Sequence, residues 1–368
     1  MAGGEVGGLR HARTRLDGQL ARLSCSGSNP YPCQLLFNKA MVLNLLGRLD
    51  EAQAIFQGAD DRMEGDERGK ASSQYFLGLS AYLKGEFDRA KEHLARALAS
   101  ARRSGDRKIN RSIQYYLGHI ALERGELEAA LEHYRESQEL AEADGDEEGI
   151  VIGWTNMGNY HHFRNEPEPA MECFRKALDL AEASGDVRKR SRIAVNIGNI
   201  HYGRGEYAKA REMFQYRLEV ASRIGDRNGV MLATGNLGSV HQSTGDHGRA
   251  LECFRRQLAV ATETGDRFFV AVAEGELGKT HAQLGDSHAA RGHLGRAIDL
   301  GRELGIKHYL AGFLHAMAGV EMGEGRTDQA RELAAEALSL AEQAHRPELA
   351  ADCRELLGRL ERGHSDRA

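Results

Sequence analysis

Four histidines recur at a fixed interval of 40 residues: His161, His201, His241 and His281. Carboxylates keep the same period at Glu86, Glu126, Glu166, Glu206, Asp246 and Asp286. Imidazole and carboxylate are the ordinary ligands of zinc and the ordinary acid–base pair of hydrolases. The period argues against both. Successive helical layers stack about 8–10 Å apart, whereas metal ligands converge to about 2 Å from one ion. One carboxylate per layer, just inside a helix N-terminus, suits the positive end of the helix dipole rather than a catalytic dyad. The five cysteines, Cys25, Cys33, Cys173, Cys253 and Cys353, are odd in number and widely spaced, so they read as reduced thiols rather than a disulfide framework. There is no phosphate-binding loop, no nucleophile elbow and no Cys–His arrangement. The expectation is a non-enzymatic protein without a metal or other cofactor.

What must position these residues is a repeat. Gly-Asp stands at Gly65-Asp66, Gly105-Asp106, Gly145-Asp146, Gly185-Asp186, Gly225-Asp226 and Gly265-Asp266, and Gly305-Ile306 continues the series. Glycine suits the left-handed position just past a helix end, and aspartate caps the next helix. A second glycine series, Gly85, Gly125, Gly205, Gly245, Gly285 and Gly325, marks an inner turn, with Asn165 in the gap. That turn is expected to do the same work on a smaller scale. A third series, Gly78 through Gly278, falls inside the first helix of each unit. There a glycine costs about 1 kcal/mol, which close approach of a neighbouring helix justifies. Alanines at 90, 130, 170, 210, 250, 290 and 330 open each second helix. The chain is therefore all-α: helix–turn–helix, written over and over.

This unit resembles the tetratricopeptide repeat. The matching residues are the apolar–Gly pair of the first helix, small residues at Ala170 and Ala177, aromatics at Phe174, Phe214 and Phe254, and Trp154. The unit runs 40 residues rather than the family's 34, its closing proline is replaced by Gly-Asp, and His stands where the motif has Tyr. In this it is similar to LGN/Pins-type scaffolds and to bacterial regulatory proteins of the same repeat. The resemblance implies a superhelical solenoid of about eight repeats over 33–346. A flanking N-terminal segment is expected over 1–32, with a helix at 5–24, and a capping helix and short tail over 347–368.

Three asparagines, Asn156, Asn196 and Asn236, keep the 40-residue register. Asn196 shares a helix face with Arg188, Arg192 and Asn199, at helical spacings. An amide donates and accepts at once, so it can hold a peptide backbone whatever the side chains. The resemblance implies that this face lines a concave groove and that the three asparagines serve there as peptide ligands. Asn159, His162 and Tyr202 lie nearby on the same face, and Tyr75 and Tyr115 extend it. Two readings of the asparagines stay open, a peptide-binding ladder and a merely solvated helix surface. The Arg188/Arg192 pair likewise reads either as charge for an acidic peptide or as a solvated helix start.

The remaining composition fits. With 28% charged residues, 41% hydrophobic residues and a net charge of −5, the chain suits neither a membrane span nor non-specific nucleic-acid binding. No signal-peptide core opens it, so a cytoplasmic setting is expected. The leading expectation is an adaptor that binds an extended peptide or partner segment. A peptide sensor whose superhelix changes pitch and a structural oligomerisation module are the alternatives, and the oligomeric state is open.

Overall fold

In the computed structural model, residues 39, 40, 42, 43, 48–60, 65–344 and 346–365 are described. The expected helix at 5–24, Cys25, Cys33 and most of the offset first repeat lie outside them. Among the described residues there are sixteen named helices and no strand. Helix α1 (Leu49–Asp60) belongs to the first repeat. Seven pairs follow: α2 (Glu67–Leu83) with α3 (Phe87–Ser104), α4 (Arg107–Glu123) with α5 (Leu127–Ala143), α6 (Glu147–Phe163) with α7 (Pro167–Ala183), and α8 (Val187–Gly203) with α9 (Tyr207–Ile224). Then come α10 (Arg227–Ser243) with α11 (His247–Thr264), α12 (Arg267–Gln283) with α13 (Ser287–Leu304), and α14 (Lys307–Gly323) with α15 (Thr327–Gln343). Helix α16 (Pro347–Ser365) closes the series. The chain divides into two compact units within α8, between Asn196 and Ile197.

The joints between repeats are built as the sequence predicts. Gly105 ends α3 at φ 68°, in the left-handed region, and Asp106 then accepts the Ile109 N–H at 3.1 Å. The same cap recurs at Asp66, Asp146, Asp186, Asp226 and Asp266. Ile306 has no side chain that can cap, and none does. The inner turns differ from expectation. Asp246 and Asp286 cap their helices, but Glu86, Glu126, Glu166 and Glu206 make no side-chain cap. The additional methylene of Glu carries its carboxylate past the N–H groups that Asp reaches, in line with the preference for Asp over longer acids at this position. Asn165 takes the left-handed conformation at φ 58°, the role glycine plays in the other inner turns.

In four pairs the core is a ring under a glycine, and at Gly78 and Gly278 the leucines Leu94 and Leu294 take the ring's place. A methyl group added at Gly158 would stand 2.5 Å from Phe174 Cε1, and one at Gly238 2.5 Å from Phe254 Cε1. Helices can approach this closely only without a Cβ, which is why glycine persists in mid-helix. The alanines that open the second helices are fully buried from Ala90 to Ala330. Apolar clusters then join one repeat to the next, as Ala250, Leu251 and Phe254 do with Leu277. At the far end Ala350, Cys353, Leu356 and Leu360 of α16 are buried on the last pair.

Candidate functional site

The periodic histidines and the inner-turn acids form one device. His161 Nδ1 lies 2.7 Å from Glu166 Oε2, and His201 Nδ1 2.6 Å from Glu206 Oε2. His281 and Asp286 approach to 3.3 Å and His241 and Asp246 to 3.9 Å. His161 and His201 thus close their own inner turns, five residues on, while His281 and His241 only approach theirs; in all four the acid's N–H bonds the histidine carbonyl. Among the described residues no group of three or more metal-ligating side chains converges.

This latch predicts an acid-labile turn. The hydrogen bond from His161 holds the Glu166 carboxyl below its usual 4.5. At Glu206 the Lys209 contact comes first and His201 second, with the same direction. A folded-state value below the unfolded one means the contribution is present above about pH 4.5 and is lost as pH falls through the folded value. Thermal denaturation across pH is therefore expected to show a further decline of Tm below about pH 4.5, on top of the loss that begins below about pH 6.5 where the buried histidines with lowered values, such as His93 and His119, must take up protons on unfolding. Glu166→Gln/Glu206→Gln should flatten that decline. A parallel decline in the double variant would mean the turns contribute nothing to it.

In the first unit, Asn156 and Asn196 occupy equivalent places on α6 and α8. Asn196 is half-buried, whereas Asn156 is 5% exposed and its Nδ2 has no hydrogen-bond partner. Asn156 lies against His119 and interacts with its imidazole, although neither Asn156 Nδ2 nor His119 Nε2 has a well-aligned hydrogen bond. Buried polar atoms without partners are rare in native proteins and invite a ligand or water. Asn159 is half-buried, and His162, Arg188 and Arg192 are exposed. Burial pushes the Tyr115 phenol up and the charge of Arg192 draws it back, so Arg192 acts across two repeats on this face. In the second unit Asn199, Tyr202 and Asn236 are half-buried. The Tyr202 hydroxyl is 2.7 Å from Ser243 Oγ.

The basic run 188–192 divides in two. Lys189 is paired with Asp186 at 3.2 Å and reaches Glu148 at 3.9 Å, and Arg190 is paired with Glu182 at 3.1 Å. These two serve the repeat junction. Among the described residues Arg188 and Arg192 have no carboxylate partner, although most arginines of this chain do.

Two features of the site are not foreseen in the sequence. One is an aromatic floor upstream of the amides. Tyr75, Phe76, Tyr115 and Tyr116 have ring centroids 4.9–6.0 Å apart, and Tyr82 lies 5.3 Å from Tyr116. Only Tyr75 and Tyr115 are expected there; the signal was the aromatic pair at 75–76 and again at 115–116. The other is a polar layer between the helices of a pair. Gln74 meets His93 at 2.9 Å, Gln114 meets His133 at 2.6 Å, and Glu274 meets His293 at 2.6 Å. Trp154 stands at the same place in its repeat, under the Lys176 ammonium at 4.4 Å.

A stack of helical pairs, six of them with a bare glycine under the second-helix side chain, defines a tetratricopeptide-repeat protein. The model of the MalT-like TPR region matches residues 160–368, more than half the chain, and a tetratricopeptide-repeat model matches 31–103 and 111–183. The chain belongs to the tetratricopeptide-repeat proteins, with a MalT-like region in its C-terminal part. Among solved structures it is similar to aspartyl phosphate phosphatase F from Bacillus subtilis, at 15% identity and TM-score 0.64, over 93% of this chain and 91% of that one. It is also similar to a Rap protein complexed with competence and sporulation factor, at 14% identity and TM-score 0.65, over 98% and 94%. The apo quorum sensor NprR from B. thuringiensis aligns at 13% identity and TM-score 0.54, over 89% and 97%. At these identities the likeness is one of fold. No curated protein matches the sequence. No described helix is long and apolar enough to cross a membrane.

Proposed function

We propose that the protein binds an acidic peptide or an extended acidic segment of a partner along the amide-bearing face of its first helices, without catalysing a reaction. The observation that carries this reading is the composition of α8. Among the described residues Arg188 and Arg192 are exposed without acidic partners, two and one helical turns from Asn196, whose amide makes no hydrogen bond there. Amides supply backbone recognition and free guanidinium groups supply preference for carboxylates. The paired Lys189 and Arg190 beside them argue against a merely solvated basic helix start.

A signal-sensing role is favoured over a passive scaffold by the similar folds, which include a quorum sensor and a Rap protein complexed with competence and sporulation factor. In this role the peptide would favour one arrangement of the repeats over another, by as much as its affinity for the two differs.

The test is selection of peptides from a displayed random library on the intact protein, followed by affinity measurement with the enriched sequence. Asn196→Ala should leave helix content intact, since Ala is the better helix former, and weaken binding by about 1–2 kcal/mol. Arg192→Glu should weaken it further, with a penalty that shrinks at high salt. The exposed Glu212→Ala on α9 is the control. Equal affinity of all three variants for the same peptide would move the binding site off this face.

A further inference from the structure

The mid-helix glycine series does not stop at Gly278. Ala318 holds the position in α14, and Gly358 holds it again in α16. At the six earlier glycines an added Cβ would stand 2.5–2.7 Å from a second-helix side chain, Leu94 at Gly78 and Leu294 at Gly278 among them. In α14 the glycine has grown to Ala318 and the second-helix residue has shrunk to Ala334, both fully buried in one cluster. Size at one position is thus matched by size at the other. At Gly358 the match is missing. Among the described residues an added Cβ would meet only Arg362 Nη1, at 3.6 Å. Glycine weakens a helix interior, and no described helix uses the space that this one leaves.

The residues around Gly358 say what fits there. One side of α16, with Ala350, Cys353, Leu356 and Leu360, is buried on the last pair. Beside it run Ala351, Arg354, Leu357, Gly358 and Glu361, at the three- and four-residue spacings of a second helical face. Leu357 and Gly358 are half-buried, and the other three are exposed. The order of this face is the same in both directions. About a point between Leu357 and Gly358, Arg354 is the counterpart of Glu361, and Leu357 is the counterpart of Gly358. A two-fold axis through that point, perpendicular to α16, sets Arg354 against Glu361 of a second copy and Leu357 over the second copy's Gly358. Each contact is then made twice, as a two-fold interface requires. Leucine over glycine is the contact this chain already makes at Gly78 and Gly278. Arg354 is 2.5 Å from Glu342 of α15, but both side chains are more than half exposed, at 57% and 53%. A pair of that kind is weak and exchanges readily.

We infer that α16 is a self-association surface: two copies of this chain pack α16 against α16, antiparallel across Gly358, with Leu357 of each over Gly358 of the other and Arg354 of each paired with Glu361 of the other. A foreign helix would have to bring both the side chain for the glycine and the matching charges, whereas a second copy already carries them. At 19 residues α16 is about 28 Å long. One such face is a small interface, of the transient class, so monomer and dimer exchange with concentration. The inference does not rest on the amide-bearing face, and failure of Asn196→Ala to affect peptide binding leaves it standing.

The test is sedimentation equilibrium of the full chain at low salt, from micromolar to near-millimolar concentration, where the dimer fraction is expected to rise with concentration. Gly358→Lys puts a long side chain where Leu357 of the second copy must sit. It should weaken association about tenfold or more and leave helix content intact, since Lys is the better helix former. Arg354→Glu alone and Glu361→Arg alone each set like charges together twice per dimer, and each should weaken association about fivefold. The double variant Arg354→Glu/Glu361→Arg restores opposite charges and should recover it. Because Arg354→Glu also loses the Glu342 contact, thermal melting of every variant is measured beside its mass. A monomer at all concentrations overturns the inference, and so does a dimer that folded Gly358→Lys leaves unchanged. A double variant that associates no better than the single ones overturns the antiparallel register, and the inference with it.

Discussion

Leu277→Asp is expected to unfold the repeats around it, at a cost of about 4 kcal/mol or more. Leu277 is 1% exposed and sits with Ala250, Leu251 and Phe254 in the cluster that joins α11 to α12. The substitution deletes most of a leucine side chain from that interface, which alone costs about 2–5 kcal/mol. It also places a carboxylate in an apolar cluster, where the acid must take up a proton or draw water inward. Stability in a repeat array is a sum of unit terms and nearest-neighbour interface terms. The loss should therefore appear in α10–α13 first and fade with distance along the chain. Hydrogen exchange measures this directly, with protection falling in those helices and persisting in α2–α5. Leu284→Asp is the matched control, because Leu284 is 51% exposed. A surface change of that kind stays within about 0.5 kcal/mol. If both variants melt alike, the interface between α11 and α12 does not couple the repeats.

Features legible in the sequence are those in which one residue type performs one backbone task. Gly105 followed by Asp106 can be read as stop-then-start because only the left-handed turn needs the glycine and only the exposed N–H groups need the aspartate. Gly158 is legible for a related reason: nothing in a helix favours it except a close neighbour, here the Phe174 ring. Features that escape are those in which two positions act together across a turn. His161 and Glu166 each have a sufficient separate explanation, one as a packing ring and the other as a dipole partner. Their contact spans five residues through a left-handed Asn165, a spacing that neither helical nor strand periodicity brings together. The Gln114–His133 pair is further hidden, since its spacing of 19 has meaning only once two helices are known to run antiparallel. Asn156 shows the limit of register itself. It occupies the same helix position as Asn196, yet the His119 ring of the preceding repeat covers it.

Deleting residues 227–266 is expected to leave a folded, shortened protein, whereas deleting 227–246 should abolish the cooperative transition of the second unit. The longer deletion joins Asp226 to Arg267. Asp226 now accepts from the Gly229 N–H at 2.9 Å, and Asp266 accepts from the Phe269 N–H at 3.1 Å. After the cut Asp226 inherits the second of these bonds, and Gly225, at φ 73°, replaces Gly265, at φ 72°. On the packing side α9 replaces α11. It brings Ala210 and Phe214 to the places that Ala250 and Phe254 occupied, all four being buried. The surface pair Arg227–Glu263 is lost, and exposed pairs of this kind contribute at most about 1 kcal/mol. The shorter deletion removes α10 alone and joins α9 to α11. Two second helices then follow one another. The Phe254 ring no longer finds Gly238, and the helix that should separate the layers is missing. Circular dichroism and calorimetry on the two deletions separate the cases: the first should retain its helicity per residue and a single sharp transition, and the second should lose both. Comparable folding of the two would mean that a single helix, and not the 40-residue pair, is the unit from which this chain is assembled.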